Sequence, residues 1–458
     1  MKVLLLKPEF RNVFTRLSLI VTEPLELEYM SSICKKNDTE CLICDLTIGN
    51  SLKKALNGFN PDIVCMTANF VHINSIKKYV KKIKDFNPNI LTIVGGPHAE
   101  VIPDDFKFEG IDIVTHSGGF TAFETIIREG INVDLSAIKG IDYQKDGVWY
   151  SNERTVFNAN ELPFPDRTHF NKYKRKYKYV TMRPCAIIKT AYSCPCNCNY
   201  CFSTLLNGGK YMCREPENVI EELKQIECND IWIVDDTFYV NTEKLDRFIS
   251  LVKENNIQKN FSLYYRADFI ASHPEHMKKL AEIGVSMCAV GLEVIDDEIL
   301  KKYNKNSSVH IINNALKVLK DCNITCIGLL MIDIDADKEY FKKVYKFIKD
   351  YELFLSTISI LTPMPGTGQY EKYKDRIMTS DYRKWDFVHL TINPTKMSRM
   401  GFYARFYLLY VKMAWNIAIR GILPLKYIFA GVRASFDYWY EAIFGIKNKS
   451  EVNKDELH

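Results

Sequence analysis

The 458-residue chain lacks any apolar run near the ~20 residues needed to cross a bilayer. It has no repeat of fixed period and no surplus of one charge, with 61 basic against 56 acidic residues and a net charge of +5. These absences argue against a membrane-spanning helix, a solenoid and, on charge alone, a nucleic-acid binder. The short apolar start Val3-Leu4-Leu5-Leu6 is not followed by a small-residue cleavage site, so it reads as a strand and the protein is expected to be cytoplasmic. The ending Asp455-Glu456-Leu457-His458 lacks the final residue of an endoplasmic-reticulum retrieval signal. What is present is ordinary globular composition, 47% hydrophobic and 26% charged, which argues against wholesale disorder. At ~150 residues per domain, two or three domains are expected.

Fourteen cysteines in so large a chain without a leader do not suggest a disulfide framework. Four of them, Cys194, Cys196, Cys198 and Cys201, crowd into eight positions, which suits metal ligation better than cross-linking. Scattered thiols such as Cys65, Cys288 and Cys326 read as buried core residues. Cys194, Cys198 and Cys201 stand in C-x3-C-x2-C spacing. Three thiolates on one tight loop can hold three irons of a cubane and leave the fourth iron open to another ligand. Zinc is the competing use, but a closed zinc site wants four protein ligands, commonly on two separated knuckles. Cys196 would be a fourth, yet neighbours this close rarely reach one tetrahedron together.

From 1 to 135, short Val/Ile/Leu runs at 3–6, 42–46, 63–67, 91–94 and 111–114 alternate with amphipathic stretches, the clearest at 75–86. This rhythm predicts a parallel sheet covered on both faces, a doubly wound, Rossmann-like α/β domain with its ligand at the strands' carboxyl ends. Residues 136–181 read as a linker, with runs at 141–143 and 148–150 around the turn Lys145-Asp146-Gly147 and a Pro-punctuated stretch Leu162-Pro163-Phe164-Pro165. From 182 to 375 the alternation resumes. Strands are predicted at 186–191, 231–234, 261–265, 287–291, 325–331 and 356–361, a partial (βα)6 barrel with its chemistry at the strands' carboxyl ends. Residues 376–458 read as a helical, basic and aromatic segment.

The loop Tyr192-Ser193-Cys194-Pro195-Cys196-Asn197-Cys198-Asn199-Tyr200-Cys201 after the first barrel strand resembles the cluster loop of radical S-adenosylmethionine (SAM) enzymes, in the class with an N-terminal cobalamin-binding-like domain. The resemblance runs over roughly 1–410. It implies a [4Fe–4S] cluster on Cys194, Cys198 and Cys201, with SAM chelating the open iron and cleaved to a 5'-deoxyadenosyl radical. Further segments match in order. Val234-Asp235-Asp236-Thr237-Phe238 ends the second strand, where Asp235, Asp236 and Thr237 are implied to meet the SAM methionyl group; a helix cap is the simpler use. Arg266 ends the third strand, facing the SAM carboxylate or the substrate. Gly291-Leu292-Glu293 ends the fourth, with Val294 where the family has serine and Lys305 in the expected place. Leu361-Thr362-Pro363-Met364-Pro365-Gly366-Thr367 resembles the sixth-strand exit near the adenine, which assigns Pro363, Pro365 and Gly366. On the fifth strand, Ile332 replaces the family's glycine.

In the N-terminal domain, Pro24-Leu25-Glu26-Leu27, Thr67 and Gly95-Gly96-Pro97-His98 resemble the cobalamin-binding fold. The resemblance implies cobalamin contacts from Pro24, Leu25, Thr67, Gly95, Gly96, Ser117 and Gly119. Two departures stand out. There is no Asp-x-His-x-x-Gly, and the family's Gly-Glu-Gly-Glu appears as Ser117-Gly118-Gly119-Phe120. His98 and His116 read as polar loop residues rather than cobalt ligands.

The leading expectation is a cobalamin-dependent radical SAM methyltransferase acting on an unactivated carbon of a small lipophilic molecule, served by an external flavodoxin- or ferredoxin-type electron donor. A radical SAM cyclase, rearrangement or C–C bond-forming enzyme without methyl transfer is the alternative, and a non-catalytic metal-bound scaffold the third. The clue to the substrate is residues 402–446, aromatic-rich and, from 402 to 436, charged only by Arg405, Lys412, Arg420, Lys426 and Arg433. With Pro424 dividing them, two amphipathic helices are expected, either lying at a membrane surface or capping the barrel mouth.

Overall fold

The computed structural model describes residues 1–9, 19–422 and the single positions 429, 432, 433, 436 and 439. In chain order the strands of the first half are β1 (Lys2–Lys7), β2 (Ile20–Val21), β3 (Glu40–Asp45), β4 (Ile63–Thr67), β5 (Leu91–Gly95), β6 (Ile113–Thr115), β7 (Ile141–Lys145), β8 (Val148–Ser151) and β9 (Lys178–Tyr179). The first sheet has the order β3-β1-β4-β5-β6-β7-β8, parallel through β6. Helices Leu25–Lys36, Leu52–Phe59 and Ile73–Phe86 supply crossovers, and Gly119–Glu129 leads from β6 into the antiparallel β7. Their apolar stripes make two cores, one on each face, around Leu4, Val64 and Val94 and around Leu5, Cys65 and Ile113. Strands buried on both faces need continuous apolar runs, which is why the runs were legible.

The hairpin β7–β8 is not confined to the linker. It pairs antiparallel with β6 and extends the first sheet. The helix Gly119–Glu129 precedes β7 just as a crossover helix would, so the βα rhythm does not reveal that β7 returns antiparallel.

The second half contributes β10 (Cys185–Ile188), β11 (Ala191–Tyr192), β12 (Met212–Cys213), β13 (Asp230–Ile233), β14 (Asn260–Arg266), β15 (Val285–Glu293), β16 (Thr325–Ile332) and β17 (Thr357–Ile360). Six of them form an open, all-parallel sheet in the order β10-β13-β14-β15-β16-β17, the predicted half-barrel. Its interior packs Ile187, Trp232, Met287 and Ile327 around Leu25 and Tyr29 from the helix Leu25–Lys36 of the first half.

An open barrel leaves two edges of unpaired backbone, a liability unless covered. At β10, the Ile187 N–H donates to Glu23 Oε1, and the Ile187 carbonyl accepts from Arg167 at 3.0 Å. At β17, the Tyr410 hydroxyl accepts from the Ile358 N–H at 3.0 Å and donates to the Ile358 carbonyl. Tyr410 stands on the helix Arg399–Ile419, whose Phe402, Phe406 and Met413 enter the barrel's outer core. This helix therefore covers the barrel's open edge rather than its mouth. The expected break at Pro424, with Lys426, lies outside the described residues.

Candidate functional site

The carboxyl ends of the barrel strands meet the carboxyl ends of β4 and β5 across a cleft enclosing roughly 1320 Å³, part of it open to solvent. Thr67, Gly95 and Gly96 line one side, Lys189, Tyr192, Ser193 and Asp236 the other, and Ser117, Gly119 and Phe120 a third. Pro24 and Leu25 do not reach it; Glu26 and Leu27 do. The periodicity explains this, since Leu25 points down into the barrel interior and its neighbours point elsewhere. Phe120 fits because it packs edge-on against Tyr29 and Phe157, and Phe157 in turn against Tyr192. Phe120, Phe157 and Tyr192 give the cleft one aromatic side.

The glycines serve the protein's own packing. A Cβ on Gly95 would lie 2.3 Å from Thr115 Oγ1, and one on Gly96, at φ +105°, would lie 2.9 Å from the backbone of Ala68. Neither histidine of this rim lines the cleft. His98 is fully buried, stacked on Phe70, with Nε2 2.7 Å from Asp105. His116 sits 3.2 Å from the buried carboxylate of Asp142, with its pKa lowered by burial.

The cysteine loop leaves β10 at Thr190, and Asp235 fixes that exit. Its carboxylate accepts from the N–H groups of Thr190 and Ala191 at 2.7 and 2.9 Å and is bonded to the Thr190 hydroxyl. Burial raises the Asp235 pKa to about 6. Asp235 is thus engaged in holding the loop, which leaves Asp236 as the carboxylate of this strand end open to a ligand. Asp236 accepts from Ser203 at 2.8 Å and faces the cleft, and the surrounding protein raises its pKa. Thr237 Oγ1 is buried and has no hydrogen-bond partner among the described residues.

The far side of the loop is held by asparagines. The Asn199 N–H and side-chain amide donate to the carbonyls of Tyr303 and Lys302, and its own carbonyl accepts from the Gln369 N–H at 3.0 Å. Asn304 donates to the Asn197 carbonyl at 2.7 Å. Gln369 follows the Pro363–Gly366 turn, so the sixth-strand exit clamps the cysteine loop. Arg266 Nη1 lies 3.4 Å from Cys198 Sγ while Asp268 grips its other nitrogens. Glu293, at φ +59° beside a register shift in β15, receives Lys305 at 2.7 Å. Val294 and Ile332, the two departures on these strands, are wholly buried.

All four loop cysteines are free thiols. No three His, Cys, Asp or Glu side chains among the described residues converge tightly enough to cage a single ion. A cubane places its ligand sulfurs on separate irons, so it asks for spread thiols on one loop rather than one tetrahedron.

Residues 188–348 match the family model of the radical SAM superfamily, and residues 17–127 match that of the B12 binding domain. The chain is a radical SAM enzyme with an N-terminal B12-binding domain. This radical SAM enzyme is 27% identical over 417 residues to the hopanoid C-3 methylase of Methylococcus capsulatus, covering 88% of this chain and 78% of that one. Its fold matches the cobalamin-dependent SAM radical enzyme OxsB with a TM-score of 0.73 at 14% identity, over 100% of this chain and 75% of that one. It also matches the radical SAM methyltransferase TsrM of Kitasatospora setae with a TM-score of 0.66 at 15% identity, over 88% and 84% of the two chains.

The cofactors that these domains imply are a [4Fe–4S] cluster, SAM and cobalamin, and the residues fit them. Free thiols beside a guanidinium suit a cluster, the orphaned Thr237 hydroxyl and accessible Asp236 suit a SAM ammonium, and the two-domain cleft suits a large planar cofactor. Sequence reasoning did not single out Lys189, Asn207, Glu100 or Phe157, all of which line the cleft. Lys189 and Asn207 flank the cysteine loop and Glu100 follows Gly95-Gly96, so proximity to those motifs was the available signal.

Proposed function

We propose that this enzyme methylates an unactivated carbon of a small lipophilic molecule, with the corrinoid in the interdomain cleft and SAM with the cluster at the barrel strand ends. The observation that carries this reading is the cleft itself, which runs from Thr67 and Gly95 of the B12-binding domain to Ser193 and Asp236 beside the cysteines. Bound there, the cluster with SAM supplies radical hydrogen abstraction and cobalamin supplies a transferable methyl group.

In this reading Cys194, Cys198 and Cys201 hold the cluster, and Arg266 offsets the negative charge of the thiolates. Asp236 and Thr237 bind the ammonium of SAM, the Glu293–Lys305 pair sets the polar wall, and Pro363, Pro365 and Gly366 shape the adenine end. Asp235 is a positioning residue. Thr67, Gly95, Gly96, Ser117 and Gly119 line the corrinoid side, with Glu26 and Leu27 in place of Pro24 and Leu25. An external one-electron donor of flavodoxin or ferredoxin type completes the system.

The test uses the full chain, reconstituted anaerobically with iron, sulfide and hydroxocobalamin and then reduced in the presence of SAM. Corrinoid-loaded protein should form both 5'-deoxyadenosine and S-adenosylhomocysteine, and corrinoid-free protein only the former. If loaded protein makes 5'-deoxyadenosine and never S-adenosylhomocysteine, the non-methylating alternative replaces this reading.

The lipophilic substrate is inferred from the helix Arg399–Ile419. Its outer face exposes Leu408, Trp415 and Ile419 at 48%, 68% and 65%, and their positions fall on one stripe. No helix among the described residues is long and apolar enough to cross a membrane, so an interfacial contact is the use we infer for the stripe. Its cations contribute less than their number suggests. Lys412 lies over the Tyr345 ring at 4.5 Å and Arg420 pairs with Glu352 at 2.5 Å. Binding to vesicles should therefore survive high salt better than a purely electrostatic attachment. Replacing Leu408, Trp415 and Ile419 together by serine should move the protein from the vesicle pellet to the supernatant. Equal sedimentation of both proteins would remove this support for a lipophilic substrate.

A further inference from the structure

Two buried polar atoms on the cleft wall belong to the cysteine loop and its flanks. Tyr192 stands two residues before Cys194, and Asn207 six residues after Cys201. Both line the cleft, at 7% and 4% exposure. Tyr192 Oη and Asn207 Oδ1 have no hydrogen-bond partner among the described residues. An unsatisfied buried polar atom is costly, and native proteins rarely keep one without a ligand or water to meet it. One hydroxyl and one amide carbonyl offer a donor and two acceptors. A corrin rim studded with primary amides presents the complementary groups.

The backbone at both places is strained and tied to the loop between them. Ser193 and Asn207 are non-glycine residues at φ +62° and +53°, a region that side chains enter at a cost. Asp235 bonds the stretch just before Ser193. At the other end the Asn207 N–H donates to Glu100 of the B12-binding domain at 2.5 Å. Between these anchors lie the three cluster cysteines. The segment that would wrap the cluster is therefore the segment that carries Tyr192 and Asn207 in the cleft wall.

We propose that the cluster loop forms part of the corrinoid site, so that cluster assembly and cobalamin binding are coupled and each raises the affinity for the other. The bonds to Asn197 and Asn199 hold the middle of the loop; ligating three irons would fix the stretches on either side and with them the two orphaned groups, so that a corrinoid entering afterwards no longer bears the cost of ordering them. By linkage the corrinoid must stabilise the cluster by the same factor. This inference rests on the assignment of cobalamin to the interdomain cleft.

The experiment measures hydroxocobalamin affinity of the full chain by anaerobic equilibrium dialysis, with corrinoid absorbance as the readout. Cluster-loaded protein should bind at least about tenfold more tightly than cluster-free protein. Cys194→Ala, which cannot assemble the cluster, should bind as the cluster-free protein does while keeping its circular dichroism spectrum. Tyr192→Phe keeps the ring against Phe157 and removes the hydroxyl; it should weaken binding severalfold in the cluster-loaded form and change little in the cluster-free form. Equal, tight binding with and without the cluster would overturn the coupling and leave the cobalamin assignment standing. Absence of corrinoid binding in every form would overturn both.

Discussion

Alanine at Cys194, Cys198 or Cys201 is expected to abolish cluster assembly, taking iron from about four atoms per chain to near none. Formation of 5'-deoxyadenosine should fall by more than about a hundredfold, beyond the 10–100-fold typical of outer-shell changes at metal sites. The reason is geometric. In the proposed assignment each thiolate holds a different iron, and the loop that carries them is clamped by Asn199, Asn304 and Gln369, which limits its freedom to rearrange around a lost ligand. Cys196→Ala should keep the cluster, because Cys196 falls between two ligands spaced four apart. Iron, sulfide and 5'-deoxyadenosine measured for the four single variants decide the matter. Loss confined to Cys196→Ala would reassign the ligands.

The second large effect is expected at the seam between the two halves, where five ionisable side chains are buried together. Arg167 of the connecting segment reaches Glu23 at 2.9 Å and Glu222 at 2.7 Å, and Arg214 reaches Glu222 at 2.6 Å. Glu28 completes the group, accepting from the Phe170 N–H at 3.1 Å, with Arg167 at 3.9 Å. Three carboxylates against two guanidiniums leave one excess negative charge. Burial and the adjacent Glu23 push the Glu28 pKa well above the usual glutamate range, which favours a proton on Glu28 and offsets the excess charge of the seam.

Arg167→Met would strand Glu23, leave Glu222 with Arg214 as its one remaining cation, and free the Ile187 carbonyl on the barrel edge. Removing one partner of a buried ion pair typically costs about 3–5 kcal/mol, and a marked drop in the denaturation midpoint is expected. Arg167→Lys, which keeps the charge and loses the fork, should fall between it and the parent. Glu28→Gln should be nearly silent at neutral pH, since the amide mimics the protonated acid. The sign with pH follows from the raised folded-state value. The stability conferred by the proton is complete below the ordinary glutamate range and is lost as pH rises through the raised pKa. Urea midpoints of the parent should therefore decline on the alkaline side, and those of Glu28→Gln should decline less. A parent-like midpoint for Arg167→Met would mean that apolar packing alone holds the seam.

Much of the site was legible because its parts are local. A cluster on one loop needs its ligands within a few residues, and strand ends carry their functional groups next to a readable apolar run, as at Val234-Asp235-Asp236 and Gly291-Leu292-Glu293. Other features depend on partners far apart in the chain. Glu23 and Arg167 are 144 positions apart and Tyr410 is 52 from Ile358, and no periodicity relates them. Asp235 and Asp236 read identically in the sequence, yet one bonds the exit of β10 and the other faces the cleft.

The sequence by itself determined the two βα halves, the thiol set and the strand-end motifs, because apolar period and ligand spacing are properties of neighbouring residues. Only the tertiary structure decided that Leu25 fills the barrel interior, that the helix Arg399–Ile419 covers the β17 edge, and that Tyr192 and Asn207 line the cleft while each keeps a buried, unpaired polar atom. Those outcomes follow from which backbone groups and cavities remain unsatisfied once the strands have paired, and pairing is settled between residues that the sequence keeps far apart.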